Sequence, residues 1–369
     1  MRRAVLLAVV LSLLAPAAAF AASRKVPTGW LGVVADGPLT QSSLGSGDEW
    51  NRLAGSGAES VRTAFYWYAV QPNGPGDADW AGTDAFVLAA ASRGLSVVPV
   101  LQGTPTWAAR KPGDAGSPPA DPATFAAFVR LLVTRYGPAG SFWSEHPEVV
   151  RRPIRAWQIW NEPNIPRYWD VANWAPPYVK LLKAAHAAVR HADPGAQTVL
   201  AGLPNDSWLA LHRIYAAGAR RAFDVVALHP YTSKPVNVIK LIRLARAEMR
   251  RRGDRRLPVW ITEMSWPASE GKVRNGVRGF QTTDAGQATR LRKGLDLLVK
   301  DRRSLRIGRV YWYTWLSQEA ATGSSFDYSG LRRLRSGRVV DSPALAAFTR
   351  EARKLEGCAK LLGDAARCR

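Results

Sequence analysis

Short apolar runs alternate with longer amphipathic segments along most of the chain. The runs are rich in β-branched and aromatic residues, which is typical of strands, whereas the segments between them repeat apolar residues at helical spacing. The runs cover residues 29–37, 59–70, 95–103, 154–164, 197–204, 223–231, 257–266 and 307–317. The helical segments cover residues 83–94, 122–137, 177–192, 207–218, 238–253, 282–301 and 343–355. This order predicts eight strands that alternate with helices.

Strand–helix alternation implies a parallel sheet, and eight such units in one chain predict an α/β fold, the (β/α)8 TIM barrel, over residues 28–355. A doubly wound open sheet is the alternative, although its usual Gly-rich turn after the first strand is not found in GVVADGPL at 32–39. The Pro/Gly-rich tract at 109–122 is predicted to be a loop after the third strand, not a domain boundary.

The two ends of the chain carry their own signals. Arg2 and Arg3 precede an apolar stretch that ends in small residues, so residues 1–22 are predicted to be a secretory signal peptide. No later run is apolar for long enough to span a membrane. Cys358 and Cys368 lie in the tail at 356–369, where an oxidising compartment would allow a disulfide. We therefore expect a secreted protein, extracellular or associated with the cell envelope.

Composition limits the partners. The chain is 47% hydrophobic and 22% charged, which is ordinary for a globular domain, but its formal net charge is +22. The arginines are dispersed and no nucleic-acid-binding motif accompanies them, so we expect no nucleic acid partner. The charge is either solvated surface or a means of binding an anionic cell-envelope polymer. We expect a monomer with no membrane span after signal cleavage.

Two of the predicted strands end in glutamate. Glu162 follows WQIWN at the end of the fourth run, and Glu263 follows VWIT in the seventh. The catalytic groups of such barrels lie at the carboxyl ends of strands, so the two carboxylates should meet at one mouth. A carboxylate pair is what glycoside hydrolysis requires: one protonates the leaving oxygen, and the other attacks carbon or activates water.

The motifs NEP (161–163) and TE (262–263), on these two strands, resemble clan A of the glycoside hydrolases, the four-seven barrels. GTPTWA at 103–108 and ITEMSWP at 261–267 look most like family 39, with the family 5 cellulase-like enzymes as neighbours. The resemblance covers nearly the whole mature chain. It implies a retaining β-glycosidase in which Glu162 is the acid/base and Glu263 the nucleophile.

The same resemblance implies supporting roles for five further residues. Asn161 would bind the 2-hydroxyl of the reacting sugar, and Arg62 would keep the nucleophile ionised and oriented. His229 and Tyr231, in ALHPY, would flank the nucleophile, and Trp315 would form the floor of the sugar subsite. These residues could instead serve only packing or structural ion pairs.

Other functions remain open on the sequence alone. A barrel that binds carbohydrate without catalysis could stack sugar rings on tryptophans, for which the candidates are Trp107, Trp169, Trp174 and Trp266. An envelope-associated structural protein is a third class, but it leaves both glutamates unexplained. The sequence contains no HExxH, CxxC, Walker or dinucleotide motif, so we expect neither a metal nor another cofactor.

Overall fold

The computed structural model of the protein describes residues 24–40, 47–274, 279–320 and 323–357. The predicted signal peptide (1–22) and the predicted Cys358–Cys368 disulfide lie outside these described residues. Across the four ranges, no helix combines the length and apolarity needed to cross a bilayer.

Nine parallel strands form one continuous sheet in the order β5-β4-β3-β2-β1-β9-β8-β7-β6. The strands are β1 (Leu31–Val34), β2 (Ser60–Tyr66), β3 (Ser96–Gln102), β4 (Ala156–Ile159), β5 (Gln197–Val199), β6 (Leu203–Pro204), β7 (Val226–His229), β8 (Val259–Met264) and β9 (Ile307–Trp312). Strands β5 and β6 are two pieces of the fifth barrel strand, and Val199 also bridges in parallel to Val225. The eight barrel strands therefore close into a ring, as the sequence predicts, and the doubly wound alternative is wrong.

Helices follow the strands and cover the outside of the barrel. They are α1 (Gly47–Gly55), α2 (Trp67–Val70), α3 (Ala81–Ala91), α4 (Pro122–Tyr136), α5 (Phe142–Glu145), α6 (Ala175–Ala192), α7 (Ser207–Ala216), α8 (Pro235–Arg251), α9 (Asp284–Lys300), α10 (Arg302–Leu305) and α11 (Pro343–Glu356). Two 3-10 turns lie at Gly37–Thr40 and Ser325–Tyr328. Every helix predicted from the sequence is present. The helices α1, α2, α5 and α10 are additions, and α2 occupies the end of the run at 59–70 that was predicted to be a strand.

The local sequence explains where two of these helices begin. Asp121 caps α4 by accepting the Ala123 N–H at 2.9 Å, and Pro122 occupies the first turn, where its missing donor costs nothing. Thr283 caps α9 in the same way by accepting from Gly286. A capped N-terminus fixes the residue at which the helix begins, so the preceding loop at the barrel mouth ends at a defined position.

Two apolar layers stabilise the barrel. Alternate residues of the strands fill its interior, among them Val34, Val98, Ala156, Ala227, Trp260 and Tyr311. The residues between them face the helices and form the larger outer core. Because both faces of the sheet are covered, its strands are buried almost continuously, as expected for a parallel sheet.

The eighth barrel strand is shorter than its apolar run. It ends at Trp312, a cis peptide joins Tyr313 to Thr314, and the chain then enters a separate small sheet. This sheet contains β10 (Leu316–Gln318), β11 (Arg332–Arg335) and β12 (Arg338–Asp341), with β10 and β11 parallel and β11 and β12 antiparallel. Residues 307–317 are thus two strands rather than the one that was predicted.

Candidate active site

The end of β4 brings Glu162 to the mouth of the barrel through an unusual backbone. Trp160 and Glu162 both have positive φ, 70° and 46° respectively. Such conformations are costly for residues other than glycine and persist where the surrounding structure holds them. The Trp160 indole packs on Trp169 at 5.0 Å, which anchors the turn, and the Glu162 N–H donates to the Gly202 carbonyl at 3.1 Å. The strained turn thereby holds Glu162 inward.

A bulge in β8 directs Glu263 into the barrel. Ile261 pairs with Val310 and Met264 with Trp312, so β8 advances three residues where β9 advances two, and β8 contains one extra residue. Trp260 faces the barrel interior, and strict alternation would therefore point Glu263 outward. The extra residue reverses the alternation, so Glu263 faces inward and Met264 packs in the outer core.

Arg62 connects both of these strand ends from β2. Its three guanidinium nitrogens donate to three different side chains, each at 2.8 Å: Nη1 to Glu263 Oε1, Nη2 to Asn161 Oδ1 and Nε to Gln158 Oε1. All four side chains are buried. A planar guanidinium suits such a fixed set of acceptors, and its charge is neutralised by one carboxylate. Arg62 therefore sets the position of Glu263 relative to the Asn161–Glu162 turn.

Two groups on the β7 side complete the surroundings of the carboxylates. His229 is fully buried, and its Nδ1 lies 2.7 Å from Glu162 Oε1 and 3.5 Å from Glu263 Oε2. The Tyr231 hydroxyl donates to Glu263 Oε2 at 2.7 Å. Both oxygens of Glu263 thus accept a hydrogen bond, and the imidazole lies between the two carboxylates.

The groups around Glu263 determine its charge. Burial acts to raise the pKa of Glu263, but His229, Arg62 and the Tyr231 hydrogen bond together outweigh it and lower that pKa below its ordinary value. Burial and the neighbouring Glu263 carboxylate raise the pKa of Tyr231 well above its ordinary value, so this phenol remains a donor. Glu263 is thereby held as an anion.

The distance between the carboxylates is informative. An oxygen of Glu162, a nitrogen of His229 and an oxygen of Glu263 all lie within 4.8 Å of one another. Three such ligand atoms could hold a metal ion. However, both Glu263 oxygens already accept hydrogen bonds, and the Arg62 guanidinium beside them would repel a cation. The donor set fits a carboxylate pair better than a metal site.

The structure adds residues that the sequence analysis did not name. Gln158 accepts from Arg62, and Gly202 packs so closely on His229 that an added Cβ would lie 1.9 Å from its Nε2. Asp36, just after β1, lies 2.9 Å from the Thr314 hydroxyl. Burial and the Glu263 carboxylate raise the pKa of Asp36 to about 6. The only available signal was position, since Asp36 also follows an apolar run.

The predicted aromatic residues are placed differently. Trp315 is 0% exposed, and its indole N–H donates to Glu49 in α1, so it forms no floor at the mouth. The aromatic residue of this segment that lies near the site is Tyr313, which faces Asp36 and Glu263. Trp169, Trp174 and Trp266 are buried in the outer core, and Trp107 packs on Trp67. These four tryptophans therefore support the packing of the barrel.

Comparisons with known proteins agree with this architecture. No family model matches the chain. A β-xylosidase from Geobacillus stearothermophilus is 29% identical over 134 residues, which cover 30% of this chain and 26% of that protein.

Solved structures match over far more of the chain. A family 39 glycoside hydrolase from Bacteroides cellulosilyticus superposes with a TM-score of 0.64 at 18% identity, covering 89% of this chain and 64% of that one. A monomeric β-xylosidase from Caulobacter crescentus gives 0.64 at 16% identity, covering 89% and 69%. A GH5_18 protein from Streptomyces cattleya gives 0.63 at 18% identity, covering 90% and 81%. The chain therefore has the (β/α)8 fold of family 39 and family 5 glycoside hydrolases, and the resemblance indicated by its NEP and TE motifs is confirmed at the level of the fold.

Proposed function

We propose that this protein is a glycoside hydrolase that cleaves the O-glycosidic bond of a β-linked saccharide with retention of configuration. The observation that carries the proposal is the pairing of Glu162 and Glu263 at the mouth of the barrel, with oxygens within 4.8 Å. Retaining enzymes hold their two carboxyl groups about 5–5.5 Å apart, whereas inverting enzymes leave a wider gap of about 6.5–9.5 Å for water.

The surroundings of each carboxylate suit a different role. Glu263 is an anion fixed by Arg62 and Tyr231, which is the state required of a nucleophile. Among the described residues, Glu162 contacts no arginine, and its Oε1 lies 2.7 Å from His229 Nδ1 instead. These surroundings support attack by Glu263 and proton transfer by Glu162.

The reaction then follows in two steps. Glu263 attacks the anomeric carbon while Glu162 gives its proton to the departing glycosidic oxygen, and a glycosyl ester forms on Glu263. Glu162, now a carboxylate, takes a proton from water as that water attacks the anomeric carbon and releases Glu263. Arg62 holds Asn161 through its Oδ1, which supports the role that the family resemblance implies for Asn161, binding of the hydroxyl next to the reacting carbon.

A panel of aryl β-glycosides tests the proposal. Glu263→Gln should lose nearly all turnover, because the amide cannot form the ester. Glu162→Ala should be slow with poor leaving groups and should be rescued by azide on an activated substrate. Glu356→Gln is the matched control, because Glu356 lies beside Glu59 and away from the mouth. Full activity in both mouth variants would refute the assignment. Saccharide binding by the wild type without turnover would favour the non-catalytic barrel.

The cellular location is a separate proposal. We propose that residues 1–22 direct export and are removed, and that the mature chain is a monomer with a Cys358–Cys368 disulfide. We also propose that its basic surface binds an anionic cell-envelope polymer. N-terminal sequencing of the exported protein, size-exclusion chromatography and salt-dependent release from the envelope test these statements independently of activity.

A further inference from the structure

We propose that Tyr66 and Tyr68 form a second sugar-binding position beside the catalytic mouth, which takes a neighbouring ring of an oligosaccharide or polysaccharide. This inference rests on the proposed function, since it extends the same cleft. It narrows the substrate class from any β-glycoside to a chain of at least two sugar rings.

Both tyrosines present their aromatic rings to solvent. Among the described residues, the large apolar side chains that remain exposed are these two tyrosines, at 41% and 49%, and four aliphatic residues. The tyrosine rings stack on one another with centroids 5.0 Å apart and planes inclined by 23°. Exposed aromatic rings that are fixed in place and adjacent to polar groups are characteristic of recognition surfaces.

The backbone fixes this tyrosine pair. Tyr66 is the last residue of β2 and Tyr68 lies in α2, while Trp67 between them is buried against Phe128 at 5.4 Å. The Tyr68 N–H donates to the Gly103 carbonyl at 2.9 Å. A Cβ on Gly103 would come within 2.9 Å of the Tyr68 ring and 3.1 Å of the Tyr66 ring, and its φ of +81° also favours glycine. The end of β3 thus packs directly under both rings.

The position of the pair relative to the catalytic groups follows from strand geometry. Arg62 and Tyr66 are four residues apart on β2, so both project toward the barrel axis, with Tyr66 about 13 Å further along the strand. Arg62 contacts the nucleophile, and Tyr66 therefore stands at the rim above it. Asp36 and Tyr168 lie close enough to raise the pKa of the Tyr66 phenol, after burial and Tyr68, to about 12.

A sugar ring matches this surface better than an apolar partner does. One face of a pyranose consists of C–H groups that pack on an aromatic ring, while its edge presents hydroxyls. Here the aromatic face is bordered by a carboxylate and a phenol, which can accept and donate hydrogen bonds at that edge. Asp36 lines one cavity with Tyr66 and also lies near the Glu263 carboxylate, so the occupant of this position is a ring of the saccharide that reaches Glu263.

The experiment compares substrates of different length. Tyr68→Ala should lower kcat/KM about three- to tenfold on hexasaccharides, as expected for one lost aromatic contact, and should leave hydrolysis of a 4-nitrophenyl β-monoglycoside unchanged. Tyr68→Phe, which keeps the ring, should behave as the wild type. Leu209→Ala removes an equally exposed side chain from α7 and serves as the matched control.

The probes are β-1,4-linked hexasaccharides of xylose, mannose and glucose, and calorimetry on Glu263→Gln measures their binding without turnover. A loss of equal size on the monoglycoside, or unchanged kinetics and binding in Tyr68→Ala, would overturn the proposal. If the wild type cleaves nothing but Tyr68→Ala still weakens hexasaccharide binding, the proposed function fails while the second position stands. If the wild type cleaves aryl β-glycosides but Glu263→Gln binds none of the three hexasaccharides, the second position fails while the proposed function stands.

Discussion

Replacing Arg62 by methionine tests the electrostatic account of the site most sharply. Methionine fills much of the same volume but removes the charge and all three hydrogen bonds to Gln158, Asn161 and Glu263. The Glu263 carboxylate would remain buried without its cation. Without Arg62, burial would raise the pKa of Glu263 against only His229 and the Tyr231 hydrogen bond, so less of the nucleophile would be ionised.

The magnitude follows from the contacts. A hydrogen bond to a charged group contributes about 1.5–3 kcal/mol, which corresponds to roughly 10- to 100-fold in rate. Breaking a buried ion pair by removing one partner costs about 3–5 kcal/mol of folding free energy. We therefore expect Arg62→Met to lose at least about tenfold in kcat/KM and to unfold at clearly lower denaturant concentration. The acid limb of its pH–rate profile should move to higher pH.

Stability measurements at different pH values test the lowered pKa of Glu263 independently of activity. A carboxyl group whose pKa is lowered by folding stabilises the protein above the pKa of the unfolded chain and loses that contribution as the pH falls. The difference in unfolding free energy between the wild type and Arg62→Met should therefore shrink in acid. Arg309→Met is the control, since Arg309 also faces the barrel but stacks on Trp260. An unshifted acid limb together with wild-type kcat/KM in Arg62→Met would refute the reasoning.

Three further substitutions probe other parts of the account. Gly202→Ala should displace His229, lower kcat about tenfold or more and cost about 1–3 kcal/mol of stability. Gly55→Ala, with open space around it, should change neither kcat nor stability. Normal kcat in Gly202→Ala would show that the imidazole position is unimportant. Asp36→Asn should match the wild-type kcat/KM below pH 6, where Asp36 is protonated, and diverge above it; parallel pH profiles would contradict this. Burial and a neighbouring carboxylate raise the pKa of Glu356 to about 8, so the wild type should lose stability as the pH rises from about 4.5 to 8. Glu356→Gln should abolish that loss and gain on the order of a few kcal/mol at pH 9 in urea unfolding, and equal stability of the two proteins at pH 9 would exclude the effect.

The sequence predicts the barrel well because its signal is local. Each strand is a compact apolar run, and each loop follows a helix with recognisable ends, so eight units can be counted without any tertiary information. Glu162 and Glu263 could be selected because each ends such a run, and strand ends of a barrel converge. Their pairing at the mouth follows from the fold class rather than from their separation in the chain.

The orientation of the two glutamates could not be predicted in the same way. Regular alternation from Trp260 points Glu263 away from the barrel, and only the bulge against β9 reverses it. The positive φ of Trp160 and Glu162 is likewise imposed by packing and by the Gly202 hydrogen bond, against the local preference of both residues. Tertiary contacts decide both features.

The contacts of the aromatic residues could not be predicted from the sequence either. Tryptophan is abundant in the strand ends and loops. The family resemblance implies that Trp315 contacts sugar, and Trp107, Trp169, Trp174 and Trp266 are candidates for sugar stacking in a non-catalytic barrel. Their indole rings instead fill the space between sheet and helices, where large apolar side chains stabilise most. The mouth presents Tyr66, Tyr68 and Tyr313, whose exposure depends on where β2 and β9 end.

The stereochemistry of hydrolysis tests the central claim most directly. Proton NMR can follow the anomeric signal of the first product released from an aryl β-glycoside before mutarotation. If Glu263 forms a glycosyl ester that Glu162 helps to hydrolyse, the β anomer must appear first and the α anomer only later. Initial release of the α anomer would contradict double displacement and the roles assigned to both glutamates.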